Sequence, residues 1–224
     1  KKFLSWNITK KTLRELPEMK QARTDHCVVE LDGKIYAIGG CNIGNKTVLQ
    51  SVERYTTSNG WEFVKPLITA RYGGCAVTFN GKIYVMGGKS NRNSLTSVEC
   101  YNPDSCTWTS CADMALTYMF PGAAAHNGFI YVAGDSEGNP AVERYDPQRN
   151  TWSKICSLEG EWLGRAIASF DNKLWTIGGR VRRDNKTSVA VYNEDGNCWI
   201  QKSSFPSGYI CSCFVVPLPS LSSK

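Results

Sequence analysis

Histidine is almost missing from the chain: His26 and His126 are the only two in 224 residues, and they stand at non-equivalent places. No set of imidazoles is therefore available to hold a catalytic metal or to activate a nucleophile. The sequence also lacks a Walker-type phosphate loop, a Gly-x-Ser-x-Gly elbow and a His-Glu-x-x-His helix, so the commoner phosphoryl-transfer, hydrolase and metalloprotease chemistries find no motif. No run of eighteen apolar residues occurs, and the N-terminus lacks the charged, apolar, small-residue order of a secretory signal. Soluble material without a membrane role is the expectation. The net charge of +6 is modest, and Lys and Arg are interspersed with acids except at Lys10-Lys11 and at Arg180, Arg182 and Arg183. That pattern reads as solvated surface rather than the dense basic stripe of a nucleic-acid binder.

Cysteine, by contrast, is plentiful, with ten residues. Cys27 and Cys75 occupy one position of successive repeats, where later repeats have Gly122, Ala166 and Ser212. Alternation among small residues points to packing of free thiols rather than bridging, and so to a reducing, cytoplasmic setting. Three Asn-x-Thr sequons, at Asn7, Asn45 and Asn185, would be glycan acceptors in a secreted chain, but Asn is common in turns. Cys211 and Cys213 would share one face of a strand, a spacing compatible with metal yet without further ligands nearby in sequence.

The chain repeats itself. Hairpin turns recur as Asp32-Gly33, Asn80-Gly81, Asn127-Gly128 and Asp171-Asn172, residue types that accept the positive φ angles of a two-residue turn. Each is followed by a nearly continuous apolar strand: KIYAIGG from Lys34, KIYVMGG from Lys82, FIYVAGD from Phe129 and KLWTIGG from Lys173. Such strands are expected to be covered on both faces. A third strand ends on Tyr55, Tyr101, Tyr145 and Tyr192, and a fourth opens on Trp61, Trp108, Trp152 and Trp199, with intervals of 47, 44 and 47 residues between the Trp positions. Four antiparallel strands per unit follow, over 21–64, 69–112, 116–157 and 161–202.

Gly-Gly after an apolar strand, then Glu-x-Tyr, then Trp resembles the kelch repeat, from about Gln21 to Gln201 in four copies. The Gly-His and Trp-Asp signatures of WD-type propellers are absent. The resemblance implies one all-β domain over 1–224, a kelch-type β-propeller of four-stranded antiparallel blades. Five blades are expected, the fifth shared between 1–16, with Trp6 and Leu13 at the Tyr and Trp positions, and 207–216 at the other end. A truncated six-bladed ring is the alternative. A chain that starts on Lys1-Lys2-Phe3 in mid-repeat further suggests a segment of a longer protein.

Strand positions repeat, whereas loop positions differ from blade to blade, and loops on a rigid frame are where binding resides. Before the first strands stand Arg23, Arg71, Tyr118 and Trp162, followed by Thr24, Tyr72, Met119 and Leu163, with Tyr209 at the corresponding place near the end. After the second strands come Cys41-Asn42, Lys89 to Arg92, Ser136-Glu137 and Arg180 to Arg183. Arg, Tyr and Trp are anchor types at protein interfaces. The expected partner-binding set is Arg23, Thr24, Asn42, Arg71, Tyr72, Lys89, Arg92, Tyr118, Met119, Trp162, Arg180, Arg182 and Tyr209, with neither metal nor cofactor.

SVERY, GGCAV and KIYVMGG are similar to the kelch domains of BTB-kelch proteins. That resemblance implies a non-catalytic domain that captures a substrate protein, while an upstream BTB region binds the cullin scaffold of a ubiquitin ligase. A bound peptide with acidic and apolar residues is expected, and an actin-binding kelch protein is the competing reading. Copper-oxidase chemistry, found in some kelch-like propellers, would need the histidines that are scarce here.

Overall fold

The computed structural model describes residues 3–7, 10–157, 165–180 and 186–206. Among these, every regular element is a strand, and no helix is long and apolar enough to cross a membrane. A hairpin of β1 (Phe3–Asn7) and β2 (Thr12–Leu16) comes first. The first blade is β3 (Cys27–Leu31), β4 (Lys34–Ile38), β5 (Val52–Thr56) and β6 (Gly60–Val64). The second begins with β7 (Cys75–Phe79) and β8 (Lys82–Met86), throws out a ribbon of β9 (Lys89–Ser90) and β10 (Asn93–Ser94), and ends with β11 (Val98–Asn102) and β12 (Thr107–Cys111). The third holds β13 (Met119–His126), β14 (Phe129–Ser136), β15 (Asn139–Asp146) and β16 (Thr151–Lys154). The fourth holds β17 (Arg165–Phe170), β18 (Lys173–Arg180), β19 (Lys186–Asn193) and β20 (Cys198–Pro206). In every blade the sheet order follows the chain and all neighbours are antiparallel.

The turn chemistry acts as the residue types require. Asp32-Gly33, Asn80-Gly81, Asn127-Gly128 and Asp171-Asn172 all have positive φ at both central residues, from 45° to 83°, which matches the hairpin twist to that of the flanking strands.

First strands of successive blades lie side by side: β3 against β7, β7 against β13, and β13 against β17. This is the arrangement of propeller blades with their first strands innermost. Facing sheets bury apolar side chains between them. Tyr36, Ile38 and Val52 of the first blade meet Ile83, Val85, Tyr101 and Trp108 of the second, and the seams between blades two and three and between three and four repeat the pattern. The second strands of the first three blades are covered on both sides, as their apolar runs predict, whereas on the fourth Trp175 and Ile177 are only half-buried among the described residues.

The recurrent Trp is a seam residue. The indole N–H of Trp61 donates to the Pro17 carbonyl, that of Trp108 to Lys65, that of Trp152 to Ala112 and that of Trp199 to Cys156, at 3.0, 2.9, 2.8 and 2.9 Å. Each acceptor lies on the segment that leads into that Trp's own blade. The ring thus buries apolar area while its one polar atom stays satisfied, and each such bond contributes about 1 kcal/mol.

Candidate functional site

The Arg residues expected to grip a partner are tied into their own blades. Arg23 and Arg71 are only 6% and 2% exposed. Arg71 Nη1 donates to the Gly87 and Ser97 carbonyls at 2.8 and 3.0 Å, and Nη2 donates to Ser97 Oγ and to Glu99 Oε1 at 3.0 and 2.7 Å. Arg23 repeats the set on Gly39, Ser51 and Glu53. The reason lies in the glycines. Gly39-Gly40 and Gly87-Gly88 all have positive φ, which ends the strand and turns the Gly39 and Gly87 carbonyls out of the ladder; the guanidinium donates to them and adds a second donor to the Ser51 and Ser97 carbonyls, which also accept from the Gly39 and Gly87 N–H groups. The paired Glu also accepts two backbone N–H groups of the segment that leads into its blade, Lys20 and Gln21 for Glu53, Ile68 and Thr69 for Glu99.

Tyr118 holds the same place in the third blade. There Gly134 lies within β14, which runs unbroken through Asp135 to Ser136, so no carbonyls need a cation. A buried tyrosine, 1% exposed, suffices, its hydroxyl donating to Glu143 at 2.9 Å. Arg23, Arg71 and Tyr118 thus have framework partners in their own blades through the guanidinium Nη atoms and the phenol, while Arg23 Nε and Arg71 Nε are buried without a hydrogen-bond partner among the described residues. Trp162, Arg182 and Tyr209 lie outside the described residues, and of Arg180 and Met119 only the strand positions are described.

The remaining expected positions lie on or beside clips within the first three blades. Thr24 exchanges backbone hydrogen bonds with Cys41, next to Asn42, at 2.9 and 2.8 Å. Tyr72 does the same with Lys89 at 3.0 and 2.8 Å, and Met119 pairs with Asp135 in register. The segment before each first strand is thus clipped to the loop after the second strand, and Arg92 projects on the exposed ribbon turn beyond Lys89.

Beside these clips a cleft of about 340 Å³ runs across three blades, lined among others by Asp25, His26, Gly73, Gly74, Phe120 and Pro121. The sequence reading missed these residues. Phe120 and Pro121 stand where the second blade has Gly73 and Gly74, and this replacement of the smallest residues by bulky ones was the signal available. A register shift between Met119 and Gly122 expels Phe120 from the ladder. It adopts φ of 46°, which a bulky residue rarely does, and stays 58% exposed. A Cβ added to Gly73 would come within 3.0 Å of the Phe120 ring, so the glycine makes room for it. His26 Nδ1 is buried without a hydrogen-bond partner among the described residues; burial, aided by Arg23, pushes the imidazole below its ordinary range and keeps it neutral.

Two model matches to the kelch motif cover residues 22–67 and 70–115, the repeats whose glycines, Arg–Glu pairs and Trp seams have just been described. The chain carries two kelch motifs. It is similar to Kelch-like protein 26 of Danio rerio, at 25% identity over 90% of this chain and 35% of the relative. It is also similar to an F-box/kelch-repeat protein of Arabidopsis thaliana, at 32% over 84% and 51%, and to Kelch repeat and BTB domain-containing protein 1 of cowpox virus, at 26% over 93% and 39%. The chain spans about a third to a half of the length of these curated relatives.

At the other end of the kelch blades, three side chains that the sequence did not connect meet. His126 Nδ1 lies 2.9 Å from Ser169 Oγ, and its Nε2 lies 3.2 Å from Glu194, which also accepts from Asn127 at 2.9 Å. Hydroxyl, imidazole and carboxylate are present together, yet the imidazole is buried and both of its nitrogens are occupied by groups of the fourth blade. This is a clasp between blades three and four.

Proposed function

We propose that this kelch domain is the substrate-recognition part of a cullin-RING ubiquitin-ligase adaptor and holds a partner peptide at the cleft end of its blades. The single observation that carries this reading is Phe120, a strained and exposed aromatic set beside a cleft between blades. The names of similar proteins, which pair kelch repeats with BTB or F-box regions, support an adaptor role. Phe120, Tyr72 and the exposed Ile43 offer apolar surface, while Lys46, Lys89 and Arg92 offer positive charge; an acidic and apolar peptide complements both. The eight described cysteines are free, which supports a reducing cytoplasm.

Peptides selected on the domain from a random displayed library should share Asp or Glu next to a large apolar residue. Phe120→Ala should weaken their binding by about 2 kcal/mol, roughly thirtyfold, and Lys89→Glu with Arg92→Glu should weaken it further as salt falls. His126→Ala, at the far end, should leave the affinity as it was. An enriched consensus without acids, or equal binding by all variants, would count against the reading.

In the same reading the N-terminal hairpin shares a closing blade with 207–216, which lie outside the described residues. Leu4, Trp6 and Leu13 lie 48%, 55% and 60% exposed on one face of that hairpin, the face on which the complete blades carry their seam Tyr and Trp. A chain ending at 206 should then unfold at lower temperature and self-associate; an unchanged midpoint with a monomeric state would refute shared closure.

A further inference from the structure

The second blade holds two cysteines on adjacent strands whose surroundings differ from those of the other thiols. Register pairs Val98 with Cys111 and Cys100 with Thr109, so Cys100 and Cys111 project from the same face, one diagonal step apart. Both enter the seam with the third blade, next to Tyr84 and Tyr145. Cys100 is buried and Cys111 is half-buried at the strand end. Across this diagonal the two thiols act on each other: that interaction, with the Tyr145 hydroxyl and the Lys82 ammonium nearby, holds the Cys111 thiol below its ordinary range, while Cys100 is pushed up by it and by burial.

The comparison within the molecule is direct. Cys27 and Cys75 also neighbour each other, across the first seam, but burial pushes Cys27 up to about 12 and Cys75 up as well, which leaves both as inert thiols. Cys106 is exposed, and among the described residues no thiol shares a strand face with it as Cys100 does with Cys111.

We propose that Cys100 and Cys111 are a dithiol oxidation site, Cys111 the sulfur that reacts with peroxide and Cys100 the sulfur that resolves it. The Cys111 thiolate attacks one peroxide oxygen; an S–O bond forms, the O–O bond breaks, and hydroxide leaves with the electron pair. The sulfur is oxidised to the sulfenic acid and the peroxide is reduced. Cys100 then attacks that sulfur, forming S–S and breaking S–O; its thiol proton leaves with the hydroxyl as water. The product staples the third strand of the blade to the fourth.

Hydrogen peroxide added to the whole chain, followed by chymotryptic mapping without reduction, tests this. Cleavage after Tyr101 and Trp108 puts Cys100, Cys106 and Cys111 on separate peptides. The expected product is a Cys100–Cys111 disulfide that dithiothreitol reverses. In Cys100→Ala a dimedone adduct should appear on Cys111 at least about tenfold faster than on Cys106, and in Cys111→Ala Cys100 should stay unmodified. Unfolding midpoints check that each variant is folded, and Cys100→Val replaces Cys100→Ala if the latter is not. A Cys106 adduct forming first, a Cys100–Cys106 disulfide, or a Cys111 sulfenic acid that persists in the unsubstituted protein would overturn the proposal.

Discussion

Arg71→Ala should lower stability by about 3–5 kcal/mol, because it leaves the Glu99 carboxylate buried without its cation and strips donors from two carbonyls. For a domain of this size that corresponds to a fall of roughly 10 °C in the thermal midpoint. Arg71→Lys should recover only part of the loss, since one ammonium cannot span the Gly87 and Ser97 carbonyls, Ser97 Oγ and Glu99 as the planar fork does. Arg71→Leu with Glu99→Leu should also recover only in part, because the Ile68 and Thr69 N–H groups lose their acceptor. Thermal unfolding, with equilibrium urea titration for the free energies, measures all three. A midpoint shift under 1 °C for Arg71→Ala, combined with lost peptide binding, would restore Arg71 to the contact surface.

Gly88→Ala should cost about 3 kcal/mol or more. Gly88 has φ of +83°, and a Cβ there would lie 2.5 Å from the Tyr72 carbonyl oxygen and 2.7 Å from the Gly74 nitrogen. Backbone must move, and the backbone in question is the clip between Tyr72 and Lys89 that frames the cleft. Gly81→Ala is the internal control: φ is +69° but nothing lies within 4 Å of the added atom, so only the conformational penalty of about 1 kcal/mol remains. Gly88→Ala should therefore weaken peptide binding as well as stability, whereas Gly81→Ala should affect stability alone. Equal unfolding midpoints for the two variants would show that the clip does not depend on close approach at Gly88.

The Arg–Glu pairing was in principle readable before any coordinates. Arg23 and Arg71 occur in repeats with Glu53 and Glu99, and Trp162 occurs in the repeat that has Ala190 at the Glu position. What hid the pairing was the partner's location, two strands away, and the habit of reading Arg before a strand as surface. Phe120 was hidden for a different reason: Phe120-Pro121 in place of two glycines marks the position as unusual, but not that the register slips by enough to expel one aromatic ring.

Blade content, turn positions, seam tryptophans and the kelch assignment were determined by the sequence alone. These features rest on local rules, positive φ at Asn-Gly and Asp-Gly, period and spacing, that one stretch of chain satisfies by itself. Which variable residues face outward was decided only by the tertiary structure. Burial of Arg71, exposure of Phe120 and the meeting of His126, Ser169 and Glu194 depend on how one blade packs on the next, and side chains far apart along the chain settle that together.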